Sequence, residues 1–156
     1  MRRTSLLLNK ARFHVHNADN AINKAYPLIK ENKVMLIALN NLFMAYNSAA
    51  LAILDHAKNK RFIDRIPEDF DSRLKLLEDG KLDLPKFNRS FIDLGLRLKS
   101  YVIAHKNSAI EFSRGGNYVI CDRKFQYKLL SLQVLNDLYA KTKLFIDEAI
   151  RFTYIK

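Results

Sequence analysis

Met35-Leu36-Ile37-Ala38-Leu39-Asn40-Asn41-Leu42-Phe43-Met44-Ala45-Tyr46-Asn47-Ser48-Ala49-Ala50-Leu51-Ala52-Ile53-Leu54 decides the fold. Met35, Ala38, Leu39, Leu42, Tyr46, Ala49, Ala50 and Ile53 recur at intervals of three and four, the repeat of one helical face. Leu36, Phe43 and Leu54 widen that face. The spacing predicts a helix over 31–57. A stripe this broad is too wide for one neighbour, so the helix should lie centrally and touch several others. Alanines at 45, 49, 50 and 52 leave room for those neighbours to come close.

Towards the N-terminus, Leu7, Ala11, Val15, Ala18, Ile22 and Ala25 mark a helix over 4–26. Pro27 ends or kinks it, because proline removes a backbone donor and crowds the preceding turn. Downstream, residues 59–71 are charged and carry Pro67, which reads as a connection. A short helix follows over 70–79, stopped by Gly80. Pro85 suits the first turn of another long helix, where its missing donor costs nothing. This helix runs to about His105 and is expected to bury Phe87, Phe91, Leu94, Leu98, Tyr101 and Val102.

The period then changes. Ile110–Arg114 and Tyr118–Asp122 flank Gly115-Gly116-Asn117, a hairpin signal. Over 124–129, Lys124, Gln126 and Lys128 alternate with Phe125, Tyr127 and Leu129, either extending the hairpin or leading out of it. The alternation predicts the aromatics inward and the lysines in solvent. Ser131 is an N-cap for a last helix over 132–153 with Leu135, Leu138, Tyr139, Thr142, Phe145, Ile146 and Ala149 as its stripe. The expected fold is all-α: an up-and-down four-helix bundle with one short extra helix and a β-hairpin before the last helix, in a single domain over 1–156.

A chain of 156 residues, 49% hydrophobic and 28% charged, can bury a core without staples. Its one cysteine, Cys121, excludes an internal disulfide, a cysteine zinc cluster and a CxxC pair, and fits a reducing cytoplasm. The apolar run Tyr118–Cys121 predicts that this thiol is buried as a small hydrophobe. No stretch approaches the roughly 20 uninterrupted apolar residues of a membrane span. Leu6–Leu8 is cut short by Asn9, Lys10 and Arg12, too soon for a secretory signal. A cytoplasmic protein without membrane contact is expected. The net charge is +11. Residues 1–33 hold seven basic and two acidic side chains, and residues 81–130 hold ten and four, whereas 34–80 is close to neutral. Such a field favours polyanions: RNA, DNA, an acidic partner or an anionic membrane surface; a lysine-rich composition without a partner is the other reading.

Three places could carry chemistry. Arg12 and His16 are one helical turn apart and share a face that can meet one phosphate; a solvated polar face is the other reading, and His14 points elsewhere. His105 ends the long helix that starts near Pro85, where an imidazolium gains from the dipole or, functionally, moves a proton. Arg114 and Arg123-Lys124-Phe125-Gln126-Tyr127-Lys128 interleave cations with aromatics, as in surfaces that stack bases and neutralise phosphates. Gly115-Gly116 lacks the following Lys-Ser/Thr of a phosphate loop. Acids over 64–79 are mixed with Arg65, Arg73 and Lys75, so neither metal nor cofactor is expected.

The string Ala38–Leu54, the block Leu96-Arg97 to His105 with Glu111-Phe112, and the final amphipathic helix resemble HEPN-like domains. The resemblance extends in pattern over roughly residues 5–153. Active members of that family are metal-independent ribonucleases with an arginine, four to six residues, then a histidine, commonly with a polar residue after the arginine; two subunits bring their motifs together. The resemblance implies an imidazole that moves the 2′-hydroxyl proton and a guanidinium that holds the phosphate. His105 and Arg97 are the implied pair. Here seven residues, Leu98 to Ala104, separate them, Leu98 replaces the polar residue, and eight helical positions leave the two about 80° out of line. Lys99, six before the histidine, has the spacing but cannot clamp phosphate bidentately.

The resulting expectation is a HEPN-like module that binds RNA or an RNA-related partner, in a toxin–antitoxin or similar setting, without catalysis. Arg12, His16, Lys99, Lys106, Arg114, Arg123, Lys124 and Lys128 are its expected contacts. The alternatives are a bundle that docks a partner or forms a homodimer through its helix faces, and an endoribonuclease using His105.

Overall fold

Burial of the Met35–Ile53 stripe organises the molecule. In the computed structural model, which describes residues 2–79 and 89–154, that stripe belongs to a helix over Asn32–Asn59 (α3) that packs against helices on several sides. The neighbours are α1 (Arg2–Asn20), α4 (Phe70–Glu78), α5 (Arg89–Lys106) and α6 (Leu132–Tyr154). Among the described residues α3 alone is long and apolar enough to cross a bilayer, and more than half of its apolar window is buried inside the protein. Ala38, Ala45, Ala49 and Ala52 are fully enclosed, so the small residues do sit where helices meet. The predicted Gly80 stop, Pro85 start and Phe87 burial lie outside the described residues.

α1 does not end at Pro27. A π-helical turn over Ala21–Ala25 follows it, with the Tyr26 N–H bonded to the Ala21 carbonyl, and a short helix over Tyr26–Ile29 (α2) continues the rod. Pro27 sits in the first turn of α2, where the slipped ladder absorbs its missing donor. Lys30, left-handed at φ 56°, closes the rod by donating to the Tyr26 carbonyl at 2.8 Å. The buried face of α1 is Thr4, Leu8, Ala11, His14 and Ala18, rotated from the predicted stripe so that Leu7 and Val15 are only half-buried. His14 is thus buried, on a different side of the helix from the exposed Arg12 and His16. Its Nδ1 lies 3.0 Å from Asn41 Oδ1. An amide oxygen can only accept, so Nδ1 carries the proton.

Where α3, α5 and α6 meet, Tyr46 is fully buried, stacks on Phe145 with centroids 4.3 Å apart, and donates to the Phe91 carbonyl at 2.8 Å. Burial pushes its phenol far above the ordinary range. Gly95 admits the ring: a Cβ there would stand 2.5 Å from Tyr46 atoms. Asp69 caps α4 by accepting from the Ser72 N–H, and Ser131 Oγ caps α6 by accepting from the Val134 N–H at 3.2 Å.

Between α5 and α6 lies a three-stranded antiparallel sheet rather than a lone hairpin: β1 (Ile110–Arg114), β2 (Asn117–Cys121) and β3 (Tyr127–Leu130), in that order. Gly115 and Gly116 both take positive φ at the first turn, which side chains resist. Asp122 builds the second. Its Oδ1 accepts from the Lys124 and Gln126 amides at 2.8 and 3.0 Å, its own N–H meets the Gln126 carbonyl, and Phe125 turns left-handed. Leu130 joins the helical core and Ile120 is buried on the side where β2 meets α5. The chain is thus mostly helical with one small sheet attached by a single face.

Candidate nucleic-acid interface

Strand alternation divides the sheet into two faces. Pairing of Phe112 with Val119 and of Val119 with Leu129 makes one row across the strands; Ile110, Cys121 and Tyr127 make the next, and Arg114 faces Asn117 beyond the first row. These residues form the face turned away from the helices. It holds a cleft of about 560 Å³ lined by Phe112, Arg114, Val119, Cys121, Tyr127 and Leu129, among others. Phe112 is 43% exposed, Tyr127 66% and, at the turn, Phe125 84%.

The expectation that Phe125 and Tyr127 face the core is therefore wrong. Residues 122–126 are a turn, so the alternation at 124–126 is not that of a strand, and the pairing of Leu130 with Tyr118 sends Leu130 inward and Leu129 and Tyr127 outward. Lys128 is half-buried on the inner side with its Nζ 4.9 Å over the Tyr101 ring, while Tyr101 donates to the Leu129 carbonyl at 2.9 Å. Cys121 is half-buried in the floor of the outer face, not enclosed in a core.

The predicted cations divide by what they touch. Arg97 reaches Asp137 at 3.0 Å, and Lys99 reaches Asp71 at 2.8 Å. Arg114, Arg123 and Lys124 are exposed at the two ends of the sheet, and among the described residues none has a side-chain ion pair. Lys106 is exposed at the end of α5. On α1, Arg12 and His16 are both exposed, with Arg12 Nη1 3.4 Å from Asn9 Oδ1.

His105 engages the inner side of the sheet. Its Nδ1 lies 2.6 Å from Glu111 Oε2; the other carboxylate oxygen accepts from Tyr118 OH at 2.6 Å, and Ser108 Oγ also donates to Oε2. Partial burial pushes the Glu111 carboxyl up, but hydrogen bonds from Ser108, Tyr118 and His105, with the His105 charge, outweigh it and hold the group below its ordinary 4.5. Burial first, then Glu111, pushes the Tyr118 phenol up to about 12. The imidazole does not cap its own helix; the Ser108 N–H donates to the His105 carbonyl at 3.4 Å. A carboxylate on Nδ1 fixes the ring and leaves Nε2 for other work. His105 also borders a cleft of about 290 Å³ with Leu36, Ile37, Leu39, Asn40 and Val102.

Arg97 borders a different cleft, with Phe91, Leu94, Lys141 and Leu144. The structure does not bring the implied pair together. Eight helical positions set them about 12 Å apart along the axis, and Asp137 holds the guanidinium towards α6. Sequence reasoning missed Glu111, the residue that orients His105. Its one signal was an inward position on β1, a few residues beyond the helix end. Among the described residues no three metal-binding side chains gather.

No family model, curated protein or solved structure matches the chain. The functional reading rests on what these side chains can do.

Proposed function

We propose that the chain is a HEPN-like helical module, α1, α3, α5 and α6 forming an up-and-down four-helix bundle, that binds RNA without cleaving it. The observation that supports RNA binding is the division among the cations. Arg97 and Lys99 are paired with carboxylates, whereas Arg114, Arg123 and Lys124 stand exposed beside bare aromatics. Unpaired arginines and lysines at one locus lower the free energy of a phosphate chain by releasing its counterions. The separation of Arg97 from His105 supports the absence of cleavage. An acidic protein partner, a homodimer and a toxin–antitoxin setting are neighbouring readings of the same charge.

Electrophoretic titration with RNA at about 50 and about 200 mM salt tests the proposal. Three phosphate contacts on a single strand predict roughly a 20-fold weakening between the two. Absence of binding at the lower salt removes the reading.

The ribonuclease remains a second reading because of the 2.6 Å His105–Glu111 contact, the geometry of an oriented general base. Cleavage of RNA by the parent and its loss in His105→Ala would establish it; equal rates in both dispose of it.

A further inference from the structure

We infer that the outer face of the sheet is a stacking platform for unpaired bases, so the RNA it takes is single-stranded. This rests on the RNA reading above and adds where the strand lies and what grips it.

The arrangement is built in layers. Val119 occupies the middle of one cross-strand row and is only 6% exposed, because Phe112 and Leu129 rise on either side of it. Cys121 occupies the middle of the next, between Ile110 and Tyr127. Smaller residues on the central strand and larger ones on the outer strands make a trough, the cleft of about 560 Å³. Two strand spacings across and a two-residue offset along the strands set Phe112 and Tyr127 about 12 Å apart, and each ring has room for its own base. Every base has a π-face, so such rings bind without needing a particular sequence.

The cations complete it. Because β1 and β2 run antiparallel, Arg114 stands at one end of the trough, while Arg123, Lys124 and the exposed Phe125 stand at the other. The two ends are about 17 Å apart, the length of a five-residue strand. A phosphate chain laid along the sheet meets guanidinium at both ends while its bases rest on apolar floor. A duplex cannot use this surface, because its bases already cover one another's faces.

A second copy of the chain fits less well. A two-fold contact through this face sets the same cations against one another, which costs association energy.

The test is fluorescence anisotropy of the full chain with a labelled oligouridine of about 12 nucleotides, and with the same length of RNA as a duplex. The single strand is expected to bind at least about tenfold tighter than the duplex. Phe112→Ala and Tyr127→Ala should each weaken single-strand binding about tenfold at unchanged melting temperature, and Tyr127→Phe should restore it. Arg114→Ala should weaken binding and lower the salt slope by about one. Equal binding of the duplex, or alanine variants that bind like the parent, overturns the platform while leaving the RNA reading in place. Competition by polyglutamate as strong as by oligouridine overturns it in favour of an acidic protein. A parent dimer in sedimentation that Tyr127→Ala dissociates overturns it in favour of a second copy. Failure of both RNA forms to bind overturns the RNA reading itself.

Discussion

The molecule holds two groups of aromatic rings in opposite circumstances. Tyr46, Phe43, Phe70, Phe91 and Phe145 meet where α3, α4, α5 and α6 converge, linked ring to ring at 4.3–6.0 Å. Phe112 and Tyr127 on the sheet, and Phe125 at its second turn, are exposed. Residue type is the same and only the surroundings differ. A helix stripe can be covered from several directions, whereas among the described residues this sheet packs one face towards the helices and leaves the other exposed. Rings in the first group stabilise the fold. Those in the second are exposed and add little to it, and the platform proposed above is the use we assign them.

The sharpest way to break that contrast is at Gly95. Because Tyr46 is pinned by its stack and its hydrogen bond, the ring cannot swing away from a new methyl group only 2.5 Å distant. Gly95→Ala should cost about 3 kcal/mol, the upper part of the usual overpacking range, and lower the melting temperature by roughly 6–12 °C. A thermal melt within a degree of the parent would show that this junction is loose and that burial is not what separates the two groups.

The seam between the regions is the Glu111 cluster, and pH is the probe. The folded carboxyl titrates below 4.5. A depressed carboxylate contributes stability that is present above its ordinary value and is lost as the pH falls through the lowered one. Glu111→Gln should lose about 2 kcal/mol at neutral pH, since a charged acceptor of three hydrogen bonds becomes neutral. Its melting temperature should then fall less than the parent's between pH 5 and pH 3. If both proteins lose stability in parallel over that interval, Glu111 does not hold the sheet to α5.

Periodicity made the helical half legible. The stripes on α3 and α6 are buried as their spacing predicts, and Gly115-Gly116 marks the first turn where the two glycines take positive φ. What was not legible depends on partners supplied from elsewhere in the chain. His14 is buried because Asn41 of another helix meets its Nδ1. Pro27 admitted two outcomes, and the π turn before it carries the helical chain through the proline to Ile29 instead of stopping it. At the candidate site, Arg114, Arg123 and Lys124 could be named from their residue types. The exposure of Phe125 and Tyr127 could not, because the Asp122 side chain breaks the strand through local hydrogen bonds that carry no period. Glu111 escaped for a similar reason: nothing in its neighbourhood announces a histidine partner across the turn.

The smallest effect discriminates best. Phe125 combines a left-handed backbone, φ 62°, with 84% exposure. An aromatic residue there bears the steric cost that glycine escapes and gains almost no burial in return. Phe125→Gly should leave stability unchanged or raise it by up to about 1 kcal/mol, after the entropy of a freer unfolded chain is deducted. The same substitution should weaken oligouridine binding several-fold, because the ring stands beside Arg123 and Lys124 at the end of the trough. Stability and binding moving in opposite directions is what a ring retained for a ligand produces. A ring that merely packs would lose both together, and a change in neither would place Phe125 outside the platform, leaving Phe112 and Tyr127 as its only rings.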